Sequence, residues 1–354
     1  MLTLPALLLL ALPLSAAPET APAKVPILYS TDLFHPHDDP DDHYDLASLF
    51  ALDEFDIRGI VLDLGAKQKQ KIGRPPVEQM MKITGRRVTY AIGLGEPLRS
   101  RDDKALEQAR DFQAGVNLLL AALRESKEKV TIFSTGSCRD LAAAINREPA
   151  LFREKVRAVY FNVGNGPNEK QDEWNVMLDA KAYLRVFESG VPLYWCPCFG
   201  KNGYATFFVA DQTTVVKACK PRLQNFFIYC LTQSKADPLA FLDTAPAALP
   251  KGPRNMWCTA PLLHAAGRKI YQRAADDFVA LGPGEAQEAG LAGKEIAPYE
   301  FVPVRVTIDA EKSSLVVEVR PAQPNAFVFR ATHKDYGKIL ASCLKNLLAG
   351  CGTR

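Results

Sequence analysis

No basic block interrupts this chain of 354 residues, and Lys and Arg outnumber Asp and Glu by only 43 to 40. So small an excess gives no electrostatic footing for a nucleic-acid polymer. There is no internal repeat, and no linker long enough to demand an independent second domain. No glycine-rich loop carries the lysine and helix start of a phosphate cradle; Gly164-Asn165-Gly166 has neither. Cys196-Pro-Cys198 stands without a second clustered pair, which argues against a zinc site. A content of 47% hydrophobic and 23% charged residues excludes wholesale disorder and fibrous repeats.

What is present begins with an apolar leader. Residues 1–17 carry no charged side chain, are interrupted by Pro5 and Pro13, and end in small residues. The run is shorter than the ~20 apolar residues that span a bilayer as a helix. It reads as a secretory signal peptide, with residues 1–23 as signal and short linker; an uncleaved anchor is the alternative. The expectation is therefore a secreted or periplasmic protein with no stable membrane insertion after processing. Its eight cysteines permit disulfides in such a compartment. Cys343 and Cys351 flank a short helical run and could pair locally, with buried free thiols as the competing reading.

From Val25 onward, short β-rich runs alternate with amphipathic helices. Strands are predicted at 25–31, 57–62, 87–91, 130–134, 158–163 and 192–195, and helices at 45–52, 77–83, 105–124, 141–146 and 180–189. Helical character dominates 222–273, ahead of a Gly-rich loop at 282–293. Apolar strands interleaved with helices predict an α/β fold whose mostly parallel central sheet is covered on both faces. Residues 24–300 form that domain in this reading. Residues 301–354 add a small α+β extension of antiparallel strands and a final helix, packed on the main domain. Ligands of such sheets sit at the carboxyl ends of the strands, which directs attention to the loops after Thr31, Leu62, Ser134 and Val163.

The loop after Thr31 is the most informative segment. From Asp32 to Asp45, six of 14 residues are Asp and three are His (His35, His37 and His43). Like charges this dense repel unless solvated or neutralised, and a bound cation is the usual solution at a folded site. Carboxylate oxygens suit Ca²⁺ or Mg²⁺, whereas the histidines favour Zn²⁺ or another transition metal. A solvated acidic turn is the bland alternative.

Several segments, in order, resemble the nucleoside hydrolase family, the inosine–uridine-preferring type and its secreted relatives. Ser30-Thr31-Asp32, then Asp41-Asp42 and Arg58-Gly59-Ile60, are similar to the family's opening strand, acidic motif and Gly-Ile strand. Residues 88–98 and 130–142 (VTIFSTGSCRDLA) are similar to two later strand-and-loop segments. Glu173-Trp174-Asn175 resembles the family's Glu-Phe-Asn, and Phe187-Glu188-Ser189-Gly190-Val191-Pro192 follows as in the family. Asp237-Pro238-Leu239-Ala240 is similar to its His-Asp-Pro-Leu-Ala. The likeness covers about Val25 to Leu242; the last hundred residues match poorly.

The resemblance implies that Asp32, Asp42 and Asp237 supply carboxylates to Ca²⁺ and Thr135 its main-chain oxygen. Asp32 also accepts a proton from the metal's water. Asp41 holds a ribose hydroxyl and helps place the nucleophile. Glu173 and Asn175 bind ribose hydroxyls with a further Asn, either Asn165 or Asn168. The implied activity is Ca²⁺-dependent hydrolysis of the N-glycosidic bond of a small-molecule nucleoside or related N-riboside, through an oxocarbenium-like transition state. Family members are often oligomeric, so a homo-oligomer is compatible with it. Three departures concern the substrate side. The loop between Asp32 and Asp41 is longer and carries the extra histidines. Ala236 replaces a His that protonates the leaving base, a task open to His35, His37 or His43. Ala66 stands where an Asn approaches the sugar, with Asp63 the nearby polar candidate. A non-catalytic nucleoside- or ribose-binding protein, and a glycoside hydrolase using a transition metal, remain the alternatives.

Overall fold

The computed structural model describes residues 24–245, 248–309 and 314–352. β1 (Val25–Thr31) lies inside the sheet and is buried on both faces. Its alternation sends Ile27 and Tyr29 into one apolar core and Leu28 into the other. β2 (Phe55–Leu62) and β4 (Val130–Ser134) flank it in parallel. β3 (Tyr90–Ile92) pairs outside β2, while β5 (Val156–Phe161) and β6 (Leu193–Trp195) continue beyond β4, all parallel. This is the sheet expected from the apolar runs, with the first and fourth strands at the predicted bounds.

The C-terminal region holds the expected antiparallel strands and final helix, and joins them to the main sheet. Strands Tyr299–Asp309, Ser314–Val319 and Ala326–Ala331 are antiparallel to one another, as read. They are not a separate layer, because Ala326–Ala331 pairs in parallel with β6 and makes one nine-stranded sheet. The final helix, Tyr336–Ala349, delivers Ile339, Leu340, Leu344 and Leu348 to the same core as Ile27 and Tyr29. The segment read as dominantly helical over 222–273 is mixed. Helices Pro221–Leu231 and Thr259–Ala265 are followed by strands Pro253–Met256 and Lys269–Ala274 in two small sheets. A short helix, Pro283–Glu288, sits in the Gly-rich stretch.

All eight cysteines are buried free thiols, so Cys343 and Cys351 do not pair. The expected signal segment, 1–23, lies outside the described residues. Among the described residues no helix is long and apolar enough to cross a membrane.

Candidate functional site

The ends of β1, β4, β5 and β6 each contribute a polar group to one cavity of about 460 Å³. Asp32 follows β1, Thr135 follows β4, Asn162 follows β5, and Cys198 stands three residues beyond β6. The volume suits a small molecule rather than a polymer.

The acidic side is built by α1 (Asp41–Ala51). Its N-terminus favours negative charge, which suits Asp41 and Asp42 in the first turn. The helix is otherwise almost wholly buried, so these carboxylates are held against protein. Asp45 follows Asp41 by four residues, on the same helix face, and also lines the cavity. The Thr31 hydroxyl donates to Asp42 Oδ1 at 2.7 Å. Burial, then the neighbouring Asp63, raises the Asp32 carboxyl to about 7. Burial raises Asp45 to about 7 as well, against hydrogen bonds from the Cys258 thiol and backbone N–H. Asp42 is raised well above the carboxylate range by burial and then by Asp32 and Asp41. Burial and then Asp45 do the same to Asp41. The carboxylates thus destabilise one another's charged forms.

The opposite side is held by Glu173, Asn175 and Asn162. Glu173 caps helix Trp174–Leu178: the backbone N–H of Asn175 donates to its Oε1 at 3.0 Å and that of Gly164 to its Oε2 at 2.8 Å. Burial raises its carboxyl, and these bonds oppose the rise. Asn175 Nδ2 donates to the main-chain oxygens of Thr135 and Asn162 at 3.4 and 3.3 Å. Asn162 is fixed through Nδ2 to the Cys196 oxygen and the Thr206 hydroxyl, both at 3.0 Å. Its buried Oδ1 has no partner.

Gly164 sets this wall. At φ +89° it lies in the left-handed region. A Cβ there would meet Tyr183 Oη at 2.5 Å and Gln171 Oε1 at 2.7 Å. Gly164→Ala is therefore expected to cost about 1–3 kcal/mol of stability and to unseat Glu173. The chemical-denaturation midpoint would fall accordingly.

Of the residues anticipated, Asp32, Asp41, Asp42, Thr135, Glu173 and Asn175 line this one cavity. Asn165 and Asn168 do not. Asn165 Nδ2 is spent on the Lys170 oxygen and Asp172, while the exposed Asn168 binds both backbone groups of Val317. The amide in the cavity is instead Asn162, which belongs to the strand end rather than the loop. Asp237 also stands apart. It is exposed, its Oδ1 accepts from the Ala240 N–H at 2.7 Å, and Gln79 and Lys82 hold the next two carbonyls. Asp237 is thus not among the residues that line the cavity with Asp32 and Asp42.

None of the three loop histidines lines the cavity. His35 stacks on Tyr229 at 4.4 Å and its Nε2 bonds the Ser234 oxygen at 2.7 Å. His43 is buried against Phe226, and burial holds it well below its ordinary pKa. Asp63 is occupied by the Leu64 and Ser137 N–H groups and the Ser137 hydroxyl, so it supports the loops from behind. His264 packs as read, with Nδ1 at 2.8 Å from the Tyr160 hydroxyl and its ring beside Phe301.

Among the described residues, no three or more His, Cys, Asp and Glu side chains close into a group able to hold a metal ion. The chemistry of the donors nevertheless fits a hard divalent cation: crowded carboxylates on Asp32, Asp41 and Asp42, with raised pKa values and few cationic partners. The one lysine lining the cavity, Lys67, is engaged by Asp38.

The profile of the family described as inosine-uridine preferring nucleoside hydrolase matches residues 31–249, well over half of the chain. A pyrimidine-specific ribonucleoside hydrolase, RihA, of Escherichia coli O1:K1 is 28% identical over 187 residues, 48% of this chain and 58% of that protein. Its counterpart from Citrobacter koseri is 29% identical over 188 residues, with the same coverage. The chain thus spans little more than half the length of these curated relatives. A plant nucleoside hydrolase structure, the PpNRh1 enzyme, is 13% identical, covers 93% of this chain and 99% of its own, and superposes with a TM-score of 0.55. That likeness concerns the fold.

Proposed function

The chain belongs to the inosine-uridine preferring nucleoside hydrolase family, and on that premise we propose that it hydrolyses the N-glycosidic bond of ribonucleosides or related N-ribosides. The observation that carries the reading is the meeting of Asp32, Asp41 and Asp42 with Glu173, Asn175 and Asn162 around one cavity at the strand ends.

In this reading Asp32 takes the proton of the attacking water. Asp41, Glu173, Asn175 and the unpartnered Oδ1 of Asn162 grip the sugar hydroxyls, which fixes the anomeric carbon relative to that water. Positive charge growing on the sugar ring is stabilised by the surrounding carboxylates, oriented before the reaction begins. Asp32, Asp42 and the main-chain oxygen of Thr135 are the residues that would hold Ca²⁺, which when bound supplies Lewis-acid polarisation of the water. The leader in residues 1–23 supports export to a secreted or periplasmic location.

The test is release of free ribose from a panel of nucleosides, with Ca²⁺ and with a chelator. Turnover that the chelator suppresses is the expected result. Ribose binding without turnover of any N-riboside would leave a binding protein, and stoichiometric Zn²⁺ surviving dialysis against Ca²⁺ would leave a transition-metal enzyme.

A further inference from the structure

Residues 164–172 belong to no helix or strand, yet they carry one side of the sugar grip. The Gly164 N–H holds Glu173 Oε2, and the Gly164 oxygen accepts from the Cys198 N–H at 2.8 Å. The Gly166 N–H donates to the Phe199 oxygen at 2.9 Å, and Asn165 pairs with Phe199 in an isolated parallel bridge. Glu173, Cys198 and the exposed ring of Phe199 all line the cavity. The path of this loop therefore decides where three of its lining groups stand.

A segment outside regular structure has to find partners for its backbone groups elsewhere. Here one half-buried side chain supplies them. Gln171 Nε2 donates to the carbonyl oxygens of Asn165 and Glu169, both at 3.0 Å, and to that of Gly166 at 3.3 Å. Its Oε1 accepts from the Asn165 N–H at 3.0 Å and from the Tyr183 hydroxyl at 2.8 Å. The one amide thus closes the loop on itself and ties it to helix Ala180–Phe187. Neither a carboxylate nor an ammonium group could donate and accept in this way.

The same amide lies against the residue that holds Glu173. A Cβ on Gly164 would come within 2.7 Å of Gln171 Oε1, so the glycine and the amide oxygen are packed together. At φ +89°, Gly164 turns its own N–H toward Glu173 and its oxygen toward Cys198. The bond from the next N–H, that of Asn165, to Gln171 fixes this turn. Gln171 itself is not part of the cavity lining.

Resting on the sugar-binding role given to Glu173 above, we infer that Gln171 is a positioning residue for the sugar site, shaping loop 164–172 so that Gly164 fixes Glu173 and Phe199 stays at the cavity wall. Asp32, Asp42 and Thr135 stand at the ends of β1 and β4 and on α1, outside this loop. Loss of Gln171 therefore weakens the hold on the sugar and leaves the groups around the attacking water in place. Such a loss falls on binding in the ground state and the transition state alike, and so on KM rather than kcat.

The experiment measures ribose binding by calorimetry and uridine turnover on the full-length protein supplied with Ca²⁺, in wild type, Gln171→Met and Gln171→Glu. Methionine keeps the length of the side chain and removes the amide. Glutamate keeps the shape and the two accepted bonds but sets an oxygen against three carbonyl oxygens. Expected in each is a rise of about tenfold to a hundredfold in the Kd for ribose and the KM for uridine, the worth of one hydrogen bond to a charged group, with kcat within about threefold of wild type. A purely structural role would lower the melting temperature and the fraction of active protein with Kd and KM unmoved. That result in either variant overturns the inference and leaves the hydrolase reading standing. Wild type that binds ribose and cleaves no nucleoside overturns the hydrolase reading, and the Kd for ribose then decides the role of Gln171. Wild type that does neither overturns both.

Discussion

Replacing Asp32 by Asn is expected to lower kcat for ribose release by about 10²–10⁴-fold, the usual worth of a positioned general base. The same change should raise the melting temperature of the metal-free protein above neutral pH. The two effects have one cause. Asp32 is enclosed by protein and then crowded by Asp63 and Glu173, so that its carboxyl is raised to about 7. Ionising it strains the fold, and an amide of the same shape removes that strain together with the proton acceptor. A side chain needed only for structure would lose both activity and stability on substitution. Steady-state kinetics and thermal unfolding on one preparation therefore separate the roles, and a kcat within a few-fold of wild type would remove Asp32 from the chemistry.

The second large effect is on stability as a function of pH. Asp32 and Asp45 titrate at about 7 in the folded protein, and Asp41 and Asp42 are displaced in the same direction. An unfolded Asp titrates at about 3.9. Between these values the folded state holds more protons, so the stabilisation is complete below about pH 4 and is lost as the pH rises through about 7. Each pH unit of displacement is worth about 1.4 kcal/mol for one group, but these neighbours titrate together and their effects do not add. The metal-free protein should lose on the order of a few kcal/mol between about pH 5 and about pH 8. A divalent cation replaces the lost protons. At about 100 times its Kd it should return some 2.7 kcal/mol, a rise of roughly 4 °C for a chain of this length. The rise should be much smaller at about pH 5, where protons compete for the same oxygens. Thermal melts with Ca²⁺ or chelator at the two pH values check this; melts unmoved by Ca²⁺ at the higher pH would argue against the ion.

How much of this could be read from the chain depends on where each residue sits. Strands such as β1 and β4, apolar on both faces because helices cover both, stand out as continuous runs. The polar residues directly after them, Asp32 and Thr135, were therefore legible. Asp41 and Asp42 were legible from the acidic run and the family resemblance, whereas the sequence placed the helix start at 45 and the structure begins α1 at Asp41. Asp45 was counted in the acidic loop, yet its place in the cavity follows only from the helix carrying it one turn beyond Asp41. Asn162 was passed over for the loop asparagines, although a polar residue ending a buried strand is itself a signal. Asp237 carried the right neighbours in sequence, but long-range anchors from Gln79 and Lys82 decide where its segment lies. The strand Lys269–Ala274 was hidden because, although it is the middle strand of a small three-stranded sheet, only Ile270 and Tyr271 are buried and its charged residues face water, so no apolar run develops.

The junction between Ala326–Ala331 and β6 bears on how the protein is dissected. A cut near residue 300 would not trim an ornament; it would strip β6 of its hydrogen-bonded neighbour and bare an apolar margin to any passing chain. It would also withdraw Tyr336, whose hydroxyl ties down the Thr206 carbonyl, next to the threonine side chain that steadies Asn162. The tail of the polypeptide thus reaches, through two bonds, the Asn162 amide in the cavity.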